Sequence, residues 1–207
     1  QKPRAVLGAA VDVGTTTVVV SLIDLSTGEQ LAIAGAPNRQ ATMGANVINR
    51  IEMGSTPRGC TVLKQLVIEK TILPLLQRCL AKAGQSATVQ RMVIGGNTAM
   101  MHLALGLSAR GLGVVPFNAV TLTPPTIPGR EVGLPVEELD CLPAAGAYIG
   151  GDVVGGAYAL GLDLPGPPAL LIDIGTNSEM ILRSGETLIA ASAPAGPAFE
   201  GGGLSCG

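Results

Sequence analysis

The sequence predicts an α/β fold built as two related units, the second incomplete. Three observations carry this. Strand-length runs of apolar, β-branched residues alternate with segments whose apolar residues recur every three to four positions. The stretch Ala10-Val11-Asp12-Val13-Gly14-Thr15-Thr16 returns 161 residues later as Leu171-Ile172-Asp173-Ile174-Gly175-Thr176-Asn177. Each copy opens a strand–turn–strand–turn–strand pattern, as expected of an internal duplication. Composition agrees: 47% of the 207 residues are hydrophobic and only 14% charged, which excludes disorder, a coiled coil or a polar linker. A net charge of −2 and 2% aromatic residues leave neither a basic footprint nor base-stacking platforms, so no nucleic-acid partner is expected.

The elements follow in order. Ala5–Val13 reads as a buried strand and Thr17–Leu25 as a second, and Thr27-Gly28 turns the chain into a third over Gln30–Ala34. Gly44–Met53 reads as a short helix. Thr56-Pro57 supplies a capping hydroxyl and a first-turn proline. Val62, Leu66, Leu73, Leu76 and Leu80 then recur at helical spacing to Lys82, with a kink expected at Pro74 and a stop at Gly84. Val89–Ile94 is a strand that ends at Gly95-Gly96-Asn97, and Thr98–Leu105 is a helix. Residues 108–147 hold most of the prolines and read as loop with short extended pieces. Gly151–Leu160 is a helix of small residues. The run from Ala144 to Leu162 contains Asp152 and six glycines and reads as a helix with its entry loop, not a membrane span. Pro165-Gly166-Pro167-Pro168 is a linker. Strands follow over Ala169–Ile174, Ser178–Leu182 and Thr187–Ala191. The first unit is expected to span residues 1–163 and the start of the second 164–207.

The repeated turns carry the chemistry. In each, a strand delivers an aspartate to its C-terminal end and a glycine lets the backbone turn close to a ligand. Backbone N–H groups and hydroxyls of Thr15, Thr16 and Thr17, and the segment Gly175, Thr176 and Asn177, suit phosphate oxygens. A carboxylate cannot bind phosphate directly, but Asp12 and Asp173 could hold a hydrated Mg²⁺ that bridges to it. The Gly-Lys-Ser/Thr of a P-loop is absent. Asp-x-Gly-Thr also occurs in aspartic proteases, where two aspartates share a proton. Those enzymes are almost wholly β, and this chain has at least three helical segments.

Val11–Thr17 and Ile172–Glu179 resemble the two phosphate motifs of the superfamily that includes actin, sugar kinases and heat-shock chaperone ATPases. The stretch Gly151–Leu162 resembles the helix that crosses between its two domains. The resemblance implies a ribonuclease-H-like (actin-like) ATPase fold, duplicated, with ATP and Mg²⁺ between the units and Asp152 near the attacking water. More specific segments are similar to the ATPase domain of the reductive activators of corrinoid proteins. They are Asn38–Ile51, Val-Ile-Gly-Gly-Asn-Thr-Ala-Met-Met-His-Leu at Val93–Leu103, and Ser192–Gly207. That family couples ATP to the return of cob(II)amide to cob(I)amide on a methyl-transferring corrinoid protein. It carries an iron–sulfur domain in the same polypeptide, so the cluster is expected only outside these residues, and the chain is expected to be a fragment with weak or no hydrolysis. Gly44-Ala45-Asn46 stands where the family has Gly-Ala-Asp. Two alternatives stay open: a small-molecule kinase of the acetate or sugar type, and a nucleotide-gated binding module without turnover.

Other residues are read more plainly. Cys60, Cys79, Cys141 and Cys206 form no Cys-x-x-Cys pair and suggest a reducing cytoplasm. His102 reads as structural, and Arg50 and Arg110 as solvated. Gly95-Gly96-Asn97 fits either a plain helix cap or an anion-facing helix start. Glu200 in a glycine-rich turn is a further candidate near the nucleotide. Ser192, Ser205 and Cys206 have no recognisable base partner. A homodimer is possible, since an incomplete second unit leaves apolar surface.

Overall fold

The computed structural model describes residues 5–86, 88–175 and 177–194. Among the described residues nine strands form two sheets. β1 (Leu7–Val13), β2 (Thr17–Asp24) and β3 (Glu29–Pro37) are the expected antiparallel meander. β4 (Val89–Gly96) lies parallel to β1, β6 (Val136–Cys141) parallel to β4, and the two-residue β5 (Ile127–Pro128) closes the edge against β6. The order is β3-β2-β1-β4-β6-β5. β7 (Ala169–Ile174), β8 (Asn177–Ser184) and β9 (Thr187–Pro194) form a second antiparallel meander.

Alternation along β1 separates core from cleft. Leu7, Ala9, Val11 and Val13 are buried with Leu63, Val67, Ile72, Leu75 and Leu76 of the helical layer. Each such side chain is worth roughly 1.5–3 kcal/mol of burial if aliphatic and full-sized. The even positions Ala10 and Asp12 face the other way, into a cleft. The helical layer is α1 (Val47–Met53), α2 (Pro57–Val67) and α3 (Leu73–Lys82), followed after β4 by α4 (Thr98–Leu105). α1 begins three residues later than expected because Asn46 caps it, its side chain accepting from Asn49 N–H at 2.9 Å.

Three expectations need correction. The kink expected at Pro74 is instead a π-helical turn over Ile68–Ile72, just before that proline. Pro74 has no N–H to donate, and the wider turn absorbs the break. Thr71 Oγ1 donates to the Leu66 carbonyl at 2.8 Å within it. The buried stripe therefore runs Leu63, Val67, Ile72, Leu76, Cys79, with an extra residue between Val67 and Ile72, and not through Val62 and Leu66. Second, the 108–147 segment contains a full sheet strand, β6, whose Glu137, Glu138 and Asp140 disguise it. Third, Arg50 is not solvated. It is 1% exposed, its Nε donating to the Gly44 carbonyl at 2.8 Å and its Nη1 lying 3.4 Å from Met100 Sδ. Burial lowers its pKa to about 10. Arg110 is exposed, as expected.

α5 (Gly151–Ala159) joins the sheets. It packs on β4 and also on β7 and β8, where Val153, Ala157 and Leu162 meet Ile181, Ala169 and Leu171. Its glycines make this approach possible: a Cβ on Gly151 would lie 2.8 Å from the Leu142 carbonyl oxygen. Arg183 of β8 fastens the proline-rich linker through the carbonyls of Gly161, Leu164 and Pro167. No helix of the described residues is long and apolar enough to cross a membrane.

Candidate functional site

A cleft of about 890 Å³ opens where the two meanders face each other across α5. Asp12, Gly14, Thr15, Thr16 and Thr17 line it from the first unit, and Asp173, Gly175, Asn177 and Glu179 from the second. Asp152, in the first turn of α5, completes the wall. Nine of the ten site residues named from sequence thus share one cavity; Thr176 lies outside the described residues. Ser205, Cys206 and Glu200 also lie outside them.

The first turn is held from behind. Asn38, fully buried after β3, donates from its backbone N–H to the Thr16 carbonyl at 2.8 Å and from Nδ2 to the Gly14 carbonyl at 2.9 Å. Asn97 holds it from the side: its Nδ2 donates to Thr15 Oγ1 at 3.1 Å, while its Oδ1 accepts the Met100 N–H at 2.9 Å and caps α4. Gly14 sits where a Cβ would be 2.5 Å from the Thr17 carbonyl oxygen, so only glycine closes this turn. The second turn is shorter. Val13 pairs with Val18 in the first copy, but Ile174 with Ser178 in the second, one residue less. Gly175 N–H donates to the Asn177 carbonyl at 3.0 Å, so that donor is spent inside the turn, and Asn177 already belongs to β8.

The cleft is acidic. Its lining includes four carboxylates and no Lys, Arg or His among the described residues. Partial burial raises the Asp12 pKa, and the nearby Asp173 raises it further. Burial is also the main cause at Asp152, with Asp173 and Asp12 adding to it against the Val153 N–H that its Oδ1 accepts at 2.9 Å. Glu179 is pushed up to about 7 by burial, then by Asp152 and Asp173. Ser192 Oγ donates to Glu179 Oε1 at 3.4 Å. Such a site calls for a cation before it can accept an anion. Among the described residues no three acidic, His or Cys side chains converge as direct ligands.

Glu179 and Asn97 were not among the site residues named from sequence. The Asp173–Glu179 register, opposed across β7 and β8, was the available signal for the first. Asn97 resolves the earlier ambiguity: it is a helix cap that also lines the cleft. His102 is structural, its Nδ1 bonded to the Thr98 carbonyl at 2.7 Å and its Nε2 accepting Val120 N–H at 3.1 Å. A second cavity of about 720 Å³, along α2, shares no residue with the cleft.

Comparison with known proteins matches residues 7–164 to the RACo middle region and residues 167–207 to the C-terminal domain of RACo, the ASKHA domain. The corrinoid activation enzyme RamQ of Eubacterium limosum is 31% identical over the whole chain. A reductase of the Co(II) methylated amine-specific corrinoid protein, from Methanosarcina barkeri, is 30% identical over 97% of it. A solved reductive activator for a corrinoid, iron–sulfur protein superposes over the whole chain with a TM-score of 0.93 at 35% identity. The chain spans 35%, 38% and 34% of the lengths of these three proteins, about a third of each.

Proposed function

We infer the function from one premise: this chain belongs to the family described by the RACo middle region, continued by the C-terminal ASKHA domain of RACo. Its role is to bind Mg·ATP between two duplicated turns and to use it in the reductive activation of a corrinoid protein. The unit boundary lies at residues 163 and 164, the setting is a reducing cytoplasm, and the corrinoid protein is the partner. One observation supports this reading above the rest: Asp12 and Asp173, which open the two turns, line the same cleft and interact electrostatically.

The mechanism follows from the chain's own groups. Asp12 and Asp173 would hold the ion, which would supply positive charge to the polyphosphate. Thr15, Thr16 and Thr17 donate to phosphate oxygens from one side. Gly175 and Asn177 would approach from the other, the glycine by close backbone contact, with Thr176 between them in the sequence. Asp152 orients a water: its Oδ1 is occupied by Val153 N–H, leaving Oδ2 to accept the water's proton. Burial strengthens it as a base. Positioning and charge stabilisation supply most of the catalysis in phosphoryl transfer. Cob(I)amide formation is energetically uphill from common donors, and nucleotide binding drives it only by favouring one shape of the partner complex over another.

Calorimetry with Mg·ATP tests the site. Asp12→Ala and Asp173→Ala should each abolish the binding heat; unchanged binding in both variants contradicts the assignment. The 207-residue chain alone should hydrolyse ATP weakly or not at all. Hydrolysis in the full protein should rise when corrinoid protein is added. Transfer of labelled phosphate to a small acceptor instead would establish a kinase.

A further inference from the structure

We propose that Asn97, with Asn38 behind it, is a positioning residue that aims both donors of Thr15 at a phosphate oxygen, making Thr15 the principal phosphate contact of the first turn. The inference rests on the nucleotide reading above and names what that reading leaves undivided among Thr15, Thr16 and Thr17.

The geometry is specific at each donor. Asn38 Nδ2 draws the Gly14 carbonyl toward the buried side of the turn. In a trans peptide the following N–H points the opposite way, so the Thr15 N–H is turned from Asn38 toward the cleft that Thr15 lines. At the side chain, Asn97 Oδ1 must accept the Met100 N–H, which fixes the amide and leaves Nδ2 to face Thr15 Oγ1. Because Thr15 Oγ1 accepts that hydrogen bond, its own hydrogen is left to donate elsewhere. The first turn therefore presents an N–H and an O–H from one residue, both oriented before the ligand arrives. Preoriented donors of this kind favour an anion because no reorganisation accompanies binding.

The cap and the aim are separable by substitution. Asp and Ser both cap helices about as well as Asn. Asn97→Ser keeps the cap but is too short to reach Thr15. Asn97→Asp keeps cap and length, but offers only acceptors to Thr15, so the hydroxyl turns its hydrogen inward and presents lone pairs to phosphate. With the full chain and Mg·ATP, Asn97→Ser and Thr15→Val should each weaken binding about tenfold, the scale of one hydrogen bond to a charged group. Asn97→Asp should weaken it more. The thermal midpoints of the two Asn97 variants should match the parent. The double variant, Asn97→Ser with Thr15→Val, should bind no worse than Thr15→Val alone, since both changes remove one contact. Parent-like binding by Asn97→Ser, or a full additional loss on the Thr15→Val background, overturns the proposal. If either occurs while Asp12→Ala still abolishes binding, the nucleotide site stands and only the positioning role fails. A parent chain that does not bind Mg·ATP overturns both.

Discussion

Individual buried polar residues show how much of this chain's chemistry is set by what each side chain touches. His102 accepts from Val120 N–H through Nε2, which requires a neutral ring with its proton on Nδ1. Burial lowers its pKa below 6.5. The sign follows: the unfolded chain takes up the proton at higher pH than the folded one, so the histidine's contribution is complete above about pH 6.5 and is lost as pH falls toward and through the lowered folded value. Urea unfolding at pH 7.5 and 5.5 should show a larger loss of stability for the parent than for His102→Gln. Equal losses would mean that His102 does not titrate with unfolding. The raised carboxylates of the cleft act in the opposite sense, gaining stability as pH falls, and they cancel in this comparison. Arg50 makes a related point. Its charge is invisible as a buried charge in sequence, because a helix position of Arg between Asn49 and Ile51 looks amphipathic and surface-bound until the fold closes over it.

At the scale of elements, glycines in α5 and at its start decide how closely it crosses β4. Gly150 has ordinary extended backbone, so its requirement is space and not left-handed conformation. Gly150→Ala should cost about 1–3 kcal/mol through overpacking against Asn97. Gly156 differs: a Cβ there meets only Leu171 Cδ2 at 3.6 Å, an ordinary contact. Gly156→Ala should therefore stabilise by about 0.4–1 kcal/mol, by restricting the unfolded chain. Thermal melts of the two variants should move in opposite directions; a shared direction would show that the clearance at these two glycines does not decide their response. Most elements were legible from periodicity and turn residues, including both meanders and the segments that carry the five α-helices. β6 was hidden because three of its six residues are acidic. Its strand character comes from pairing with β4 on one side and β5 on the other, which no local pattern reports.

Across the whole molecule, the duplication exposes an asymmetry. Ala9, Val11 and Val13 of β1 are buried under helices, while their counterparts Leu170, Ile172 and Ile174 are 56%, 49% and 56% exposed. Leu182 and Ile189 extend the same face across β8 and β9. An apolar surface of this continuity drives association in water. The chain should self-associate in sedimentation velocity, and Leu170→Thr combined with Ile189→Thr should shift it toward monomer. The change in stability should stay near 0.5 kcal/mol per site, as for other surface substitutions. A monomeric parent would show that this face does not drive association, and a doubly substituted chain that associates as before would place the contact elsewhere.

By itself the sequence determined whatever depends on neighbours along the chain: strands from apolar runs between turn residues, helix starts at Pro57 and Thr98, and the repeated aspartate-glycine turns. Only the tertiary structure decided what those pieces do together. It set Asp12, Asp152, Asp173 and Glu179 around one cavity, sank Arg50 into the core, and turned Asn97 from a helix cap into a second-neighbour support for Thr15. The physical reason is range. Backbone propensity and capping act over a few residues. Burial and electrostatic coupling act between groups more than a hundred residues apart, and exist only once packing has brought them within reach.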